Sequence, residues 1–208
     1  YAIGDSKANE IAVEAPSTMP AENRANVYAY ARAGEGYDYM VANIADLQAQ
    51  KVDYSLASEV QRDVWADMDE FPKVPLRPDS LMFSNFGVND IDGSTYTGAQ
   101  EVANFKSLAA TLGYDDVIFT DINPWGAVAT AGEITETKSF NALALDECRA
   151  SGWVFVPLYY DTSDQPTNPD DLLPAFTSDG LHPNLAGSLL ISGLMDCAIQ
   201  EWRQRGTS

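Results

Sequence analysis

Apolar residues along this chain fall into short runs that alternate with longer segments of helical periodicity. The short runs predict strands at residues 1–3, 26–31, 81–83, 116–120 and 153–156. Segments whose apolar residues recur every three or four positions predict helices at residues 7–15, 37–47, 55–71, 100–112, 136–150 and 183–202. The stretch between residues 159 and 183 contains several prolines and aspartates and is predicted to be loop.

This alternation determines the expected fold class. Strands separated by helices are joined by crossover connections, which give an α/β protein with a parallel sheet covered on both faces. At 208 residues, without an internal repeat or an interior linker, residues 1–208 are expected to form one domain. In such open sheets the functional crevice lies beyond the carboxyl ends of the strands. Functional residues are therefore expected in the loops that follow the strands.

The composition narrows the range of partners. The chain contains 12 Lys and Arg residues and 31 Asp and Glu residues, which gives a net charge of −19 at pH 7 and a pI near 4.1. This negative charge repels phosphate backbones and anionic lipids, so we expect neither nucleic-acid binding nor membrane insertion. The first residues, Tyr1-Ala2-Ile3, read as the end of a strand, and we expect a mature or trimmed terminus of a secreted or extracellular protein. Cys148 and Cys197 permit one disulfide without requiring it.

The only histidine, His182, lies in the sequence Ser178-Asp179-Gly180-Leu181-His182-Pro183-Asn184. Histidine is the side chain whose unperturbed pKa makes it a base near neutral pH. A turn at Gly180 would bring the Asp179 carboxylate to one ring nitrogen and leave the other free to accept a proton. This stretch follows the fifth predicted strand, so it can reach the carboxyl edge of the sheet.

Three further loops follow predicted strands and carry Ser6, Gly34 and Asn89. The Ser6 hydroxyl is a weak nucleophile until a base such as His182 takes its proton. The backbone N–H groups of Ser6 and Gly34 and the side-chain amide of Asn89 are suited to an oxyanion hole because they are neutral donors. Gly36, two residues after Gly34, is a rival for the same role.

Gly4-Asp5-Ser6, Gly34, Gly87-Val88-Asn89-Asp90 and Asp179-Gly180-Leu181-His182 resemble, in this order, the four signature blocks of the SGNH (GDSL-type) hydrolases. The resemblance spans nearly the whole chain, although Lys7 replaces the leucine of the GDSL motif. It implies a flavodoxin-like three-layer α/β/α sandwich with a five-stranded parallel sheet, and ester hydrolysis through an acyl-enzyme without metal or other cofactor. It also implies the following roles: Ser6 is the nucleophile, Asp179 and His182 complete the triad, and Ser6, Gly34 and Asn89 form the oxyanion hole.

Two acidic residues adjoin these blocks. We interpret Asp5 and Asp90 as structural, each accepting hydrogen bonds from nearby backbone N–H groups. On that interpretation alanine at either position impairs folding as much as turnover.

Aromatic and apolar residues in the expected edge loops are candidates for substrate binding, since they can pack acyl chains or stack on sugar rings. They are Phe86, Ile91, Trp125, Tyr159, Tyr160 and Phe176. No long apolar lid is visible in the sequence, so we expect a small acyl group, acetyl above all, on an alcohol or carbohydrate. The oligomeric state stays open, as do two other functions: an acyltransferase or thioesterase with the same triad, and a non-catalytic carbohydrate-binding module.

Overall fold

A computed structural model of the chain describes residues 2–4, 29–31, 36, 82–85, 87–92 and 96–205. The described strands are β1 (Ala2–Gly4), β2 (Ala29–Ala31), β3 (Met82–Asn85), β4 (Val117–Thr120), β5 (Val154–Val156), β6 (Ser163–Asp164) and β7 (Asn168–Leu172). The described helices are α1 (Val88–Ile91), α2 (Gly98–Leu112), α3 (Ala131–Ser151), α4 (Leu158–Thr162) and α5 (Leu185–Arg205). The helices predicted at residues 7–15, 37–47 and 55–71 lie outside the described residues.

The main sheet has the strand order β2-β1-β3-β4-β5, and each neighbouring pair is parallel. The register brings the carboxyl ends of the strands into line, with Gly4 beside both Ala31 and Asn85 and Thr120 beside Val156. The loops that leave these strands therefore start from one edge of the sheet. β6 and β7 form a separate antiparallel hairpin, which lies between α4 and α5 in the sequence.

Two capping boxes determine where the long helices α2 and α3 begin. The Thr97 side chain accepts from the Gln100 N–H and the Gln100 side chain accepts from the Thr97 N–H. Thr130 and Glu133 form the same reciprocal pair at the start of α3. α3 therefore begins five residues before the predicted residue 136.

The sheet is covered on both faces at β4. All four residues of this strand are buried, although successive side chains of a strand point to opposite faces. α2 connects β3 to β4, and α3 connects β4 to β5. Because crossovers of the same hand between successive neighbouring strands lie on the same face of the sheet, α2 and α3 pack against each other. α3 and α5 both contact β4 and β5. Among the described helices, none combines the length and the apolar character that a membrane span needs.

Three phenylalanines join these layers. Phe105 of α2 stacks on Phe119 of β4 with ring centroids 4.0 Å apart, and Phe140 of α3 meets Phe119 edge-on at 5.7 Å. All three side chains are fully buried. Truncation of such a residue to alanine typically costs about 3–5 kcal/mol of stability. This cluster therefore packs both α2 and α3 against β4.

The two cysteines are free thiols. Cys148 of α3 is buried, whereas Cys197 of α5 is exposed. Burial raises the pKa of the Cys148 thiol to about 12, so this sulfur stays protonated and weakly nucleophilic at neutral pH.

Candidate active site

Asp179 and His182 are in direct contact. Nδ1 of His182 lies 2.8 Å from Oδ2 of Asp179. The other carboxylate oxygen, Oδ1, accepts from the backbone N–H groups of Leu181 at 2.9 Å and His182 at 2.8 Å. One carboxylate therefore holds both the imidazole ring and the backbone that carries it.

Thr177 closes this turn from the other side. Its hydroxyl accepts from the backbone N–H groups of Asp179 and Gly180 and donates to the carbonyl of His182 at 2.8 Å. Gly180 has φ +82°, a left-handed conformation that favours glycine. Sequence reasoning did not identify Thr177; a threonine two residues before an Asp-Gly pair, able to form a side-chain turn, was the available signal.

The turn is tied to the start of α5. The Asn184 side chain accepts from the Gly187 N–H at 3.1 Å and donates to the Ala175 carbonyl at 3.0 Å. The Asn184 N–H donates to the Phe176 carbonyl at 2.7 Å. Gly187 approaches so closely that a Cβ there would lie 2.6 Å from the same carbonyl oxygen. The segment on either side of His182 is therefore fixed to the helix.

The Asp179 carboxylate is held in its ionised form. The hydrogen bond from His182, aided by the Leu181 and His182 backbone N–H groups, holds the pKa of Asp179 well below its usual range. An ionised carboxylate only accepts hydrogen bonds, so Nδ1 carries a proton and Nε2 is the basic nitrogen of the neutral ring. The Asp179 side chain is 50 % exposed and the His182 side chain is 35 % exposed, so solvent reaches this pair.

Asn89 occupies the second position of α1. Gly87, with φ +117°, precedes the helix, and its carbonyl accepts from the Ile91 N–H. Asn89 is half-buried, whereas its neighbour Asp90 is 3 % exposed. Because α1 starts three residues after β3 ends, Asn89 lies at the carboxyl edge of the sheet.

Gly36 lies directly against Asp90. Gly36 is buried, and a Cβ added to it would collide with the Asp90 carboxyl group. Gly36, five residues after the end of β2, therefore lies against α1. The other residues expected at this edge, Ser6, Gly34, Asp5 and Phe86, lie outside the described residues.

Two of the expected substrate-binding residues are core residues. Ile91 is fully buried, and Trp125 is 3 % exposed with its indole N–H donating to the Thr137 hydroxyl at 2.9 Å. Neither side chain offers surface to a substrate. The expectation for Ile91 and Trp125 is therefore corrected: an apolar residue in a loop at this edge can point inward and complete the core.

Tyr159, Tyr160 and Phe176 retain accessible surface. Tyr160 is 69 % exposed, and Tyr159 and Phe176 are half-buried. The Tyr159 hydroxyl donates to the Asp170 carboxylate. Tyr160 is thus the most accessible of the predicted aromatic residues.

Asp121 is a buried carboxyl group that sequence reasoning overlooked. It follows β4 directly, is 5 % exposed, and accepts from the Tyr159 backbone N–H at 2.8 Å. Burial raises the pKa of Asp121 well above its usual value, although the N–H groups of Leu158 and Tyr159 oppose the shift. Asp121 therefore caps α4. Among the described residues, no group of three or more His, Cys, Asp and Glu side chains is placed to hold a metal ion.

The turn with His182 lies over the loop that leaves the carboxyl end of β4. A Cβ on Gly180 would meet the Ala127 Cβ at 3.0 Å and a Val128 methyl at 3.7 Å. The Asp179–His182 turn therefore lies against the loop that connects β4 to α3.

Solved structures share this architecture. A GDSL-like lipase from Bacteroides thetaiotaomicron VPI-5482 aligns with a TM-score of 0.64 over 99 % of this chain and 87 % of its own, at 17 % identity. A carbohydrate esterase family 3 structure from Talaromyces cellulolyticus has a TM-score of 0.59 over 98 % and 97 % of the two chains, at 13 % identity. An acetyl xylan esterase has a TM-score of 0.61 over 95 % and 98 %, at 12 % identity.

This chain has the SGNH hydrolase fold. No protein-family model and no curated protein matches its sequence. Within this fold, the described residues include a partly exposed histidine whose ring is held by an ionised aspartate. Such a pair can accept a proton at Nε2 and return it to a leaving group.

Proposed function

We propose that this chain is a serine ester hydrolase of the SGNH (GDSL-type) family, with Ser6, Asp179 and His182 as its triad. The observation that carries the proposal is the 2.8 Å contact between His182 Nδ1 and the Asp179 carboxylate, within a fold shared with esterases and lipases. The proposal includes one domain over residues 1–208 and a flavodoxin-like three-layer sandwich around five parallel strands. The strand order β2-β1-β3-β4-β5 supports that architecture.

The proposed reaction has two balanced halves. Nε2 of His182 takes the proton of Ser6 as the serine oxygen attacks the ester carbonyl, and the ionised Asp179 stabilises the imidazolium. The tetrahedral intermediate releases the alcohol, which receives that proton, and leaves an acyl group on Ser6. Water then attacks the acyl-enzyme and gives a proton to Nε2 of His182. His182 returns that proton to the serine oxygen as the bond between Ser6 and the acyl carbon breaks, which releases the acid and restores the free serine.

The oxyanion of each intermediate needs donors that are fixed before reaction. We assign this role to the N–H groups of Ser6 and Gly34 and to the Asn89 amide, and the position of Asn89 at the start of α1 supports it. Gly36 lies against Asp90, which gives a structural reason for a glycine there and favours Gly34 over Gly36 as the donor.

The substrate we propose is a short-chain ester, acetyl above all, on a carbohydrate or another alcohol. Two of the similar structures are a carbohydrate esterase family 3 protein and an acetyl xylan esterase. The exposed Tyr160 ring supports the sugar, because an aromatic face can stack on a pyranose. Phe86 and Phe176 are proposed as further contacts.

We also infer, from the acidic composition, that the enzyme is secreted.

A fluorophosphonate probe tests the nucleophile directly. We expect stoichiometric labelling of the wild type and none of Ser6→Ala, because the probe forms a stable adduct only with an activated serine. Ser178→Ala is the matched control, since Ser178 is an exposed serine in the same block as His182, and it should label like the wild type. Labelling of Ser6→Ala equal to the wild type would refute the assignment and favour a non-catalytic binding module.

Substrate class and acceptor are tested separately. A panel of nitrophenyl esters and acetylated xylan should show acetate preferred over octanoate or longer chains, and the opposite order would reject the short-chain assignment. Product analysis with added alcohol or sugar then distinguishes hydrolysis from acyl transfer, because water and alcohol compete for the same acyl-enzyme.

A further inference from the structure

Asp170 of the β6–β7 hairpin joins three elements outside the triad. Lys138 of α3 places Nζ 2.7 Å from Asp170 Oδ1, and the Tyr159 hydroxyl of α4 donates to the same oxygen. The hydrogen bond from Lys138, followed by that from Tyr159, lowers the pKa of Asp170. The carboxylate is therefore ionised at neutral pH and is held from two sides.

The backbone of Asp170 continues this connection to the loop after β4. The Gly126 N–H donates to the Asp170 carbonyl at 2.6 Å. A Cβ at Gly126 would lie 2.6 Å from that oxygen and 2.7 Å from Oδ1 of Asp171. The loop and β7 therefore fit against each other at a position where only glycine is accommodated.

The next residues of the loop support the turn that carries His182. Ala127 and Val128 lie beneath Gly180, close enough that a Cβ there would be 3.0 Å from Ala127 Cβ. Gly180 separates Asp179 from His182 and has a left-handed backbone. A shift of the loop would therefore act on the segment that sets the Asp179–His182 contact.

We propose that Asp170 is a positioning residue, which anchors the hairpin and the loop 126–128 as a support for the Asp179–His182 turn. Its effect on turnover rests on the proposed function. Its effect on the geometry of His182 does not, because that geometry can be observed without substrate.

The variants Asp170→Ala and Lys138→Met remove the anchor from either side, and Lys138→Arg keeps the ion pair. Lys106→Met is the matched control, because Lys106 pairs with Glu147 at 2.9 Å toward the other end of α3. We expect kcat for a short ester to fall between about 3- and 30-fold in the first two variants. KM should change less than about twofold, since the anchor does not contact substrate. Lys138→Arg should restore kcat.

Because His182 is the only histidine, proton NMR of tag-free protein gives one imidazole N–H pattern to interpret. The wild type should show a downfield Nδ1–H resonance that exchanges slowly with water, as expected for a proton held by a carboxylate. Asp170→Ala and Lys138→Met should broaden or lose this resonance while their far-UV circular dichroism stays native. Lys106→Met and Lys138→Arg should retain it.

These outcomes separate the two proposals. Loss of the resonance in both anchor variants, with retention in both controls, supports the positioning role even if no ester is hydrolysed. A resonance and a kcat that are unchanged in Asp170→Ala and Lys138→Met would overturn it, as would a wild type without a protected Nδ1–H. Equal loss in Lys106→Met would also overturn it, because the effect would then belong to any ion pair on α3.

Discussion

The Asp179 carboxylate binds the ring of His182 through one oxygen and the backbone N–H of His182 through the other, at 2.8 Å in each case. One carboxylate therefore fixes both the ring and the backbone of His182. Such a contact lets Nδ1 donate to the carboxylate and leaves proton transfer to Nε2.

Asp179→Asn should separate ring orientation from turn formation. The asparagine oxygen can still accept from Leu181 and His182, so the turn persists, but the amide no longer selects a protonated Nδ1. We expect kcat to fall by about 10²- to 10⁴-fold, with thermal stability close to the wild type. Steady-state kinetics and the tautomer of His182 by ¹⁵N NMR check this. Activity within threefold of the wild type would contradict an orienting role for Asp179.

Asn89→Ala and Asp90→Ala test adjacent residues with different expected roles. Loss of one oxyanion donor costs about 10²–10³ in kcat, so Asn89→Ala should be folded and slow. Asp90→Ala removes a buried carboxyl group against Gly36 and should lower the free energy of unfolding by about 1–3 kcal/mol. Urea unfolding beside kinetics distinguishes them. A stable Asp90→Ala protein as inactive as Ser6→Ala would give Asp90 a direct chemical role.

Two glycines of α5 should respond to alanine in opposite directions. At Gly187 a Cβ would lie 2.6 Å from the Phe176 carbonyl oxygen and 2.9 Å from Pro183 Cβ, whereas at Gly193 it would meet nothing within 4 Å. Gly187→Ala should therefore destabilise the protein by about 1–3 kcal/mol. Gly193→Ala should stabilise it by about 0.5–1 kcal/mol through helix propensity. Equal unfolding midpoints for the two variants would show that the contact at Gly187 is unimportant.

Asp121 should weaken the fold as the pH rises through the ordinary aspartate range. Its pKa is raised by burial in the folded protein, so unfolding releases a proton once the pH exceeds the unfolded value of about 3.9. The free energy of unfolding contributed by this group is highest in acid and declines up to the folded pKa. Asp121→Asn should thus be more stable than the wild type at pH 7 and should lose that advantage below pH 4. An advantage that persists in acid would exclude ionisation as its cause.

The sequence predicted the elements that depend on apolar patterning. β4 and β5 lie within the predicted strands, and α2 and α5 begin within about two residues of prediction. The start of α3 was misjudged because the Thr130–Glu133 capping box extends the helix beyond its apolar stripe. The hairpin of β6 and β7 was not predicted, since its strands are mostly polar and depend on contacts such as that between Gly126 and Asp170.

The candidate site was likewise predicted only in part from the sequence. The contact between Asp179 and His182 follows from local spacing, because a turn at Gly180 brings the Asp179 carboxylate back to the residue three positions later. Ile91 and Trp125 were misassigned because residue type and strand order do not reveal which way a loop side chain points. Asp121 was overlooked because a carboxylate after a strand looks solvated, and only the packing of α4 over it removes the water.

The hydrogen bonds described for the Asp179–His182 turn join residues between Thr177 and His182. Six consecutive residues thus supply the hydrogen bonds inside the turn, whereas the loop 126–128 and the start of α5 hold the turn in place. The turn can consequently keep its own hydrogen bonds when segments that contact neither the turn nor its supports change. Under the proposed ester hydrolysis, segments outside the turn and its supports are therefore where substrate preference can change while the proposed base is retained.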